Sequence, residues 1–348
     1  KNKGSSATSC ARTAAQRGGR QVIYEFAVDP DIVVKWAIDQ DAAMVGQFGL
    51  DRRRLVADFP RNWEGYVQSR LLQKFDLDYG APEFIEANGI LTAYLDLMAE
   101  HMVSRGVDVG DDEWLAHATA EHAARPFHAI VASNPPAGST DVIDESVMQR
   151  LKDTRWHLPT IESARKTADE LASRLEPILR HASEIVIVDP YFDAAEPTFC
   201  NVLRALVLRA MSGRNPARLK PKFVLITGVD DRRRGSGQIP QEQQNLRVAN
   251  DKYGAAQRCL PSELPVDVEV TYYCISGLIE GDRFHNRFVL SDFAGALCPY
   301  GVEELGEKVF DDITPLHQGQ YKKRWAQFSR TAELPVVGRP VVIRGEQR

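Results

Sequence analysis

The stretch Ile185-Val186-Ile187-Val188 decides the fold class of this chain. Four consecutive apolar, β-branched residues are typical of a strand that is buried on both faces of a sheet. A second run of this kind, Phe223-Val224-Leu225-Ile226, follows after a helical pattern. Shorter or alternating apolar runs predict further strands at 266–273, 288–290 and 294–297. Strands that alternate with helices predict an α/β sheet domain over 181–348.

The residues before this domain predict a mostly helical N-terminal domain over 21–140. After a short β-type run at 22–26, helical patterns cover roughly 31–38, 50–75 with an interruption at Pro60, 82–98, and 111–124. Residues 1–20 are rich in Ser, Ala, Gly and Thr and are interpreted as a flexible tail.

A linker and one amphipathic helix are predicted between the two domains, over 141–180. The clearest linker sequence of the chain, Asn134-Pro135-Pro136-Ala137-Gly138-Ser139-Thr140, immediately precedes this region. Beyond it, apolar residues recur at steps of three and four, and Pro177 is expected to kink or end the helix. The residues of this pattern are Ile161, Ala164, Ala168, Leu171 and Leu175.

Charge is distributed unevenly along the 348 residues, whose net charge is −5. Residues 21–180 carry 16 basic and 27 acidic side chains, a balance of −11, whereas 181–348 carry 22 and 21. Because nucleic acid binds to clustered positive charge, the acidic N-terminal domain is expected to bind a protein partner instead. A nucleic acid is expected to bind, if at all, to the C-terminal domain.

The cellular setting follows from cysteines and hydropathy. The 5 cysteines are scattered and odd in number, which indicates a reducing compartment and no structural zinc site. No apolar run approaches the roughly 18 residues that a membrane-spanning helix needs, so a cytoplasmic protein without a transmembrane segment is expected. Phosphate-binding and dinucleotide-binding glycine motifs are absent from the sequence, and we predict neither a cofactor nor a metal.

The chemically informative stretch is His285-Asn286-Arg287, which runs into the strand and reaches Asp292. A histidine and a cation two residues apart at a strand start are expected to project to the same side of the sheet. Such a group suits a phosphate, because imidazole can attack phosphorus or move a proton while guanidinium binds the non-bridging oxygens. Asp292 is expected to orient a neighbour. The alternative is a strand-end histidine that only bonds a carbonyl.

This pattern resembles the H-x-K-x4-D signature of the phospholipase D superfamily, here matched by His285, Arg287 and Asp292. It is similar to an H-x-R branch that includes the C-terminal domain of MIT proteins and bacterial proteins often found beside defence genes. The turn Asp189-Pro190-Tyr191-Phe192 and the glycine Gly295 also fit that branch. The resemblance, which covers roughly 160–330, implies a phospholipase D-like sheet domain and a metal-independent phosphodiesterase, a nuclease in a bacterial defence system.

Two departures keep a second hypothesis open. Arg287 replaces the usual lysine, and some relatives with arginine bind without hydrolysing. The superfamily mechanism uses two histidines, whereas His285 lies in a single copy of the motif, so activity implies a homodimer. The alternative is a catalytically inactive module that binds nucleic acid, phosphate head groups or partner proteins.

Further candidate residues carry weaker predictions. Asp189 either caps its own turn or lines the site at the end of a strand. The run at Arg232 and Arg233 is either a phosphate-contacting loop or a solvated surface. The acidic pair Asp311-Asp312 is expected to be solvated rather than metal-binding. The predicted substrate-binding residues are Asp189, Arg232, Arg233, Asn286 and Gly295, and the predicted catalytic residues are His285, Arg287 and Asp292.

Overall fold

The computed structural model of the chain describes residues 21–110, 113–150, 153–158, 163–214, 219–229, 240–279 and 282–346. Its strands are β1 (Tyr24–Val28), β2 (Arg54–Asp58), β3 (Met102–Ser104), β4 (Ala129–Val131), β5 (Val142–Ile143), β6 (Ala164–Lys166), β7 (Glu184–Val188), β8 (Lys222–Gly228), β9 (Glu269–Ile275), β10 (Leu278–Ile279), β11 (Asp282–Arg283), β12 (Phe288–Ser291), β13 (Gly295–Leu297), β14 (Gly306–Asp311), β15 (Thr314–Pro315) and β16 (Val341–Arg344). Its α-helices are α1 (Pro30–Ile38), α2 (Ala42–Val45), α3 (Trp63–Lys74), α4 (Pro82–Ala99), α5 (Trp114–Ala124), α6 (Glu145–Met148), α7 (Ala168–Arg180), α8 (Pro197–Met211), α9 (Gln241–Cys259) and α10 (Gln318–Ser329).

The C-terminal part is built on a mixed sheet with the strand order β15-β13-β12-β7-β8-β9-β16. β7, β8 and β9 are parallel, and β12 runs antiparallel to β7. The four residues Ile185 to Val188 are buried within this sheet, as their apolar sequence predicts. The α/β prediction for this region is therefore confirmed, and none of the helices in the described ranges is long and apolar enough to span a bilayer.

The N-terminal part also contains a sheet, which the prediction of a mostly helical domain missed. β1 to β5 pair in parallel in the order β3-β2-β1-β4-β5. The segment 50–75, predicted as helix, is divided between strand β2 and helix α3. Leu55, Val56 and Ala57 are fully buried beside β1, and this burial outweighs the helical periodicity of their neighbours. The first sheet places this unit in the α/β class as well.

The boundary between the two units differs from the predicted one. β5 pairs with β4 and so belongs to the first sheet rather than to a linker. Helix α7 begins at Ala168, not near 161, because Ala164 lies in strand β6. Pro177 lies inside α7, which continues to Arg180. α7 packs against α8, and one hydrophobic cluster joins the second sheet to residues of the first unit, namely Val22, Ile23, Leu50, Leu55 and Val103.

A buried ion cluster centred on Glu25 joins the two units. The carboxylate of Glu25, which lies on β1, accepts two hydrogen bonds from Arg105, Nε–Oε1 at 2.7 Å and Nη2–Oε2 at 2.8 Å. Arg180 and His181, at the end of α7, contact its Oε2 at 2.7 and 2.9 Å. Burial by itself raises the pKa of Glu25, but the charges of Arg105 and Arg180, with the hydrogen bond from His181, hold that pKa well below its ordinary value.

The cluster makes the stability of the fold depend on pH. Burial lowers the pKa of His181 to about 4, so the folded state holds this imidazole neutral. The imidazole of the unfolded chain binds a proton near its ordinary pKa. The contribution of His181 to the free energy of unfolding is therefore complete above that pKa and is lost as pH falls toward 4. We expect the free energy of unfolding to drop between pH 6.5 and 5. His181→Asn should reduce that slope by up to about 1.4 kcal/mol per pH unit. Urea unfolding at several pH values measures it, and an unchanged slope in His181→Asn would contradict this account.

Candidate active site

Three of the predicted site residues, His285, Arg287 and Asp189, meet at one end of the paired strands β7 and β12 because these strands run antiparallel. In this register Phe288 lies opposite Val188, so the start of β12 adjoins the end of β7. His285 and Arg287 precede β12, and the turn Asp189 to Phe192 follows β7. The carboxyl ends of parallel strands are the usual place for binding sites in open α/β sheets.

His285 is held by one hydrogen bond to the turn after β7. Its Nδ1 lies 2.7 Å from the phenol oxygen of Tyr191, and the two rings meet edge to face with centroids 5.9 Å apart. His285 lies in a turn, not on the strand, and its side chain is exposed. When Nδ1–H donates to Tyr191, Nε2 carries the lone pair that a nucleophile needs.

Arg287 lies against the other part of Tyr191. Its guanidinium carbon is 4.6 Å from the centroid of the Tyr191 ring, and Nη1 donates to the carbonyl of Pro299 at 2.5 Å. Its Nε is buried without a hydrogen-bond partner and lies 3.9 Å from Oδ1 of Asp189. His285 and Arg287 therefore contact the same tyrosine, the imidazole at its phenol oxygen and the guanidinium at its ring.

Asp189 is fully buried and joins two loops at the floor of the site. Oδ1 accepts the N–H of Tyr191 at 2.9 Å, and Oδ2 accepts the N–H of Val302 at 2.8 Å. Burial raises the pKa of this carboxyl, while the two hydrogen bonds and the charge of Arg287 oppose the rise. Asp189 therefore caps its own turn, and its Oδ1 also lies 3.9 Å from Nε of Arg287.

Gly301 is required where the second loop passes Asp189. Its φ of +84° lies in the left-handed region, and a Cβ at this position would come within 2.5 Å of the Asp189 carboxylate. The same Cβ would lie 3.5 Å from Nε of Arg287. A side chain here would displace the loop from both charged groups.

A second buried pair, Lys166 and Asp311, supports this loop from below. Nζ of Lys166 donates to the carbonyl of Gly301 at 2.5 Å and lies 3.8 Å from Oδ2 of Asp311. Asp311 accepts the N–H of Tyr300. Burial lowers the pKa of Lys166 and raises that of Asp311, and their mutual attraction opposes both shifts. The prediction of two solvated acids was wrong for Asp311, because Lys166 offers it a buried partner; Asp312 is exposed.

Two other predicted residues, Asp292 and Gly295, lie away from this group. Asp292 lies beyond the opposite end of β12, where Oδ1 accepts the N–H of Ser183 at 3.0 Å, so it orients main chain there and not His285. Gly295 pairs with Leu290 at that same end, and a Cβ on it would meet Leu290 at 2.6 Å. Its role is therefore packing. Asn286 is exposed between His285 and Arg287. Arg232 and Arg233 lie outside the described residues.

Sequence reasoning missed Lys166 and the part played by Tyr191. Lys166 lies in the short strand β6, which carries no motif, and only its pairing with β14 brings it under the site. The sequence signal for Tyr191 is its place in the turn from Asp189 to Phe192 after β7. A search with protein-family models gives no match for this chain, and neither does a search of curated proteins. In the described ranges no group of three His, Cys, Asp or Glu residues could hold a metal ion.

Proposed function

We propose that the second sheet carries a phosphodiesterase site of the phospholipase D type that cleaves nucleic acid without a metal. The observation that supports this most directly is the pairing of His285 with Tyr191 at 2.7 Å beside the guanidinium of Arg287. Tyr191 occupies Nδ1, so Nε2 is the imidazole atom that can reach a phosphorus. The adjacent cation is placed to bind the phosphate oxygens.

The proposed reaction has two displacements at phosphorus. In the first, Nε2 of His285 forms a P–N bond while the bond from phosphorus to the leaving oxygen breaks. Arg287 neutralises the charge on the non-bridging oxygens, and the phenol of Tyr191 accepts the hydrogen bond of Nδ1–H as the ring becomes cationic. In the second, water attacks phosphorus and gives its proton to the group that protonated the leaving oxygen, while the P–N bond breaks and His285 is regenerated.

The leaving oxygen needs a proton that this set of residues does not supply. The resemblance implies a second histidine for this step, which a second copy of the chain would bring to the site. We therefore propose that the active form is a homodimer in which two His285 side chains share one phosphate.

A second candidate, an inactive phosphate-binding module, is favoured by a specific observation. In the described ranges, the ring nitrogen of His285 contacts the phenol of Tyr191 and not a second imidazole. Nη1 of Arg287 also donates to the carbonyl of Pro299, so this donor is already engaged within the protein. Binding of a phosphodiester without turnover, lost in Arg287→Ala, would support this module over the enzyme.

The variant Tyr191→Phe tests the proposed role of the phenol. Without the hydroxyl the imidazole loses its fixed tautomer and orientation, and we expect kcat to fall roughly 10- to 100-fold with little change in KM. Hydrolysis of bis(p-nitrophenyl) phosphate in EDTA measures both constants. The matched control is Tyr273→Phe, which removes a phenol that contacts Thr331 at 3.3 Å elsewhere in the protein. Equal losses in the two variants would show that the Tyr191 hydroxyl does not act through His285.

A further inference from the structure

Tyr300 lies in a tight turn that is attached to Arg287. The turn from Cys298 to Gly301 is closed by the N–H of Gly301, which donates to the carbonyl of Cys298 at 2.9 Å. The N–H of Cys298 donates to the main-chain carbonyl of Arg287 at 2.9 Å. Nη1 of Arg287 binds the carbonyl of Pro299, which immediately precedes Tyr300. Tyr300 is therefore one peptide unit away from the group that we propose to bind phosphate.

Buried charges hold the main chain of Tyr300 on both sides. Its N–H donates to the two carboxylate oxygens of Asp311, at 3.3 and 3.2 Å. Its carbonyl lies 3.5 Å from Nζ of Lys166. Both charged side chains are 0% exposed. Moving two charges out of water is costly unless hydrogen bonds compensate them. Both charges depend on the main chain of this turn for such bonds, and this dependence fixes the position of the turn.

The side chain of Tyr300, in contrast, is 57% exposed. Tyr253 and Tyr272 of the same unit are buried in the core. Arg287 binds the carbonyl of Pro299 on this same turn, so an exposed ring on the turn could offer a flat apolar face near a phosphate held by Arg287. A nucleotide presents both matching groups, because each phosphate is followed by a base that can stack on an aromatic side chain.

We infer that Tyr300 is the stacking platform of a base-binding subsite, and that the substrate is a single-stranded nucleic acid. This inference rests on the proposed function, since it places the phosphate on Arg287. In a duplex the base faces are already stacked on their neighbours, so a ring at the protein surface cannot reach them. A phospholipid head group has no planar ring to stack, and it would gain nothing from Tyr300.

Binding experiments in the His285→Ala background, which prevents turnover, separate the two contacts. The probes are a fluorescent oligo(dT) and an abasic strand of the same length that retains its phosphates. We expect Tyr300→Ala to weaken oligo(dT) binding roughly 5- to 100-fold and to leave abasic-strand binding unchanged. Tyr300→Leu should show the same loss, and Tyr300→Phe should retain affinity. Tyr79→Ala is the matched control, since Tyr79 is a tyrosine 63% exposed in the other unit.

The variant Arg287→Ala tests the proposed function separately, because it should weaken binding of both strands. If Arg287→Ala has no effect while Tyr300→Ala does, the phosphate site is wrong and the stacking contact stands. The inference is overturned if Tyr300→Ala weakens both strands equally or neither. It is also overturned if a duplex binds with the same dependence on Tyr300, or if phosphatidylglycerol vesicles bind through Tyr300 and oligonucleotides do not.

Discussion

Replacing His285 by alanine is expected to reduce phosphodiester cleavage roughly 10⁴-fold or more, because it removes the imidazole nitrogen that we propose forms the bond to phosphorus. The loss should be in kcat, since Arg287 still binds the phosphate. The side chain of His285 is exposed, so the free energy of unfolding should change by less than about 0.5 kcal/mol. Initial rates on single-stranded DNA, RNA and a nitrophenyl reporter measure the loss, each with and without EDTA.

The control for this experiment is His317→Ala, which removes another exposed histidine of the same unit, one that lies 3.5 Å from Asp51. Full activity is expected there. The covalent intermediate gives an independent readout, because a quenched reaction should contain an acid-labile phosphohistidine in the wild type and none in His285→Ala. Metal-dependent cleavage that survives His285→Ala would falsify the proposed mechanism.

The largest expected effect on stability comes from Glu25→Gln. The substitution keeps the shape of the side chain but removes the charge that Arg105, Arg180 and His181 share. Arg105 is 1% and Arg180 is 9% exposed, so their charges remain in a buried environment with less compensation. Breaking a buried pair in this way costs about 3–5 kcal/mol. Chemical denaturation of the full chain measures the loss.

A matched substitution shows whether burial is the cause. Glu269 pairs with Arg344 at 2.6 Å, but their side chains are 53% and 75% exposed. Because surface pairs contribute only about 0–1 kcal/mol, Glu269→Gln should change stability little. Similar losses in the two variants would mean that the Glu25 cluster contributes no more than a surface pair. A loss confined to Glu25→Gln supports the view that this cluster fastens the two units together.

Local sequence patterns predicted the second sheet well. The runs at 185–188 and 223–226 became β7 and β8, and the short runs after 287 became β12 and β13. Such strands are buried on both faces, so their residues are apolar without interruption and the pattern is easy to distinguish. The first sheet was missed because β2 is five residues long and lies between segments with helical spacing. Only its pairing with β1 and β3 distinguishes it.

The position of Asp292 illustrates a limit that simple geometry imposes on a motif. A strand advances about 3.3 Å per residue, so five residues separate Arg287 from Asp292 by roughly 16 Å. The strand β12 lies between them, and the two side chains are therefore found at opposite ends of this strand. Arg287 and Asp292 belong to one sequence motif, but the strand between them separates their side chains in the structure.

The sequence by itself determined that the C-terminal region is an α/β sheet and that His285 and Arg287 lie together before a strand. These features depend only on residues that are close together in the chain, because the geometry of a strand restricts where such residues can lie. The tertiary structure alone decided the partners of that pair. Tyr191 lies 94 residues before His285 in the chain, and it contacts His285 because β7 and β12 pair antiparallel. Lys166 reaches Gly301 across 135 residues, and no local pattern encodes such contacts because they follow from the packing of strands that are distant in the chain.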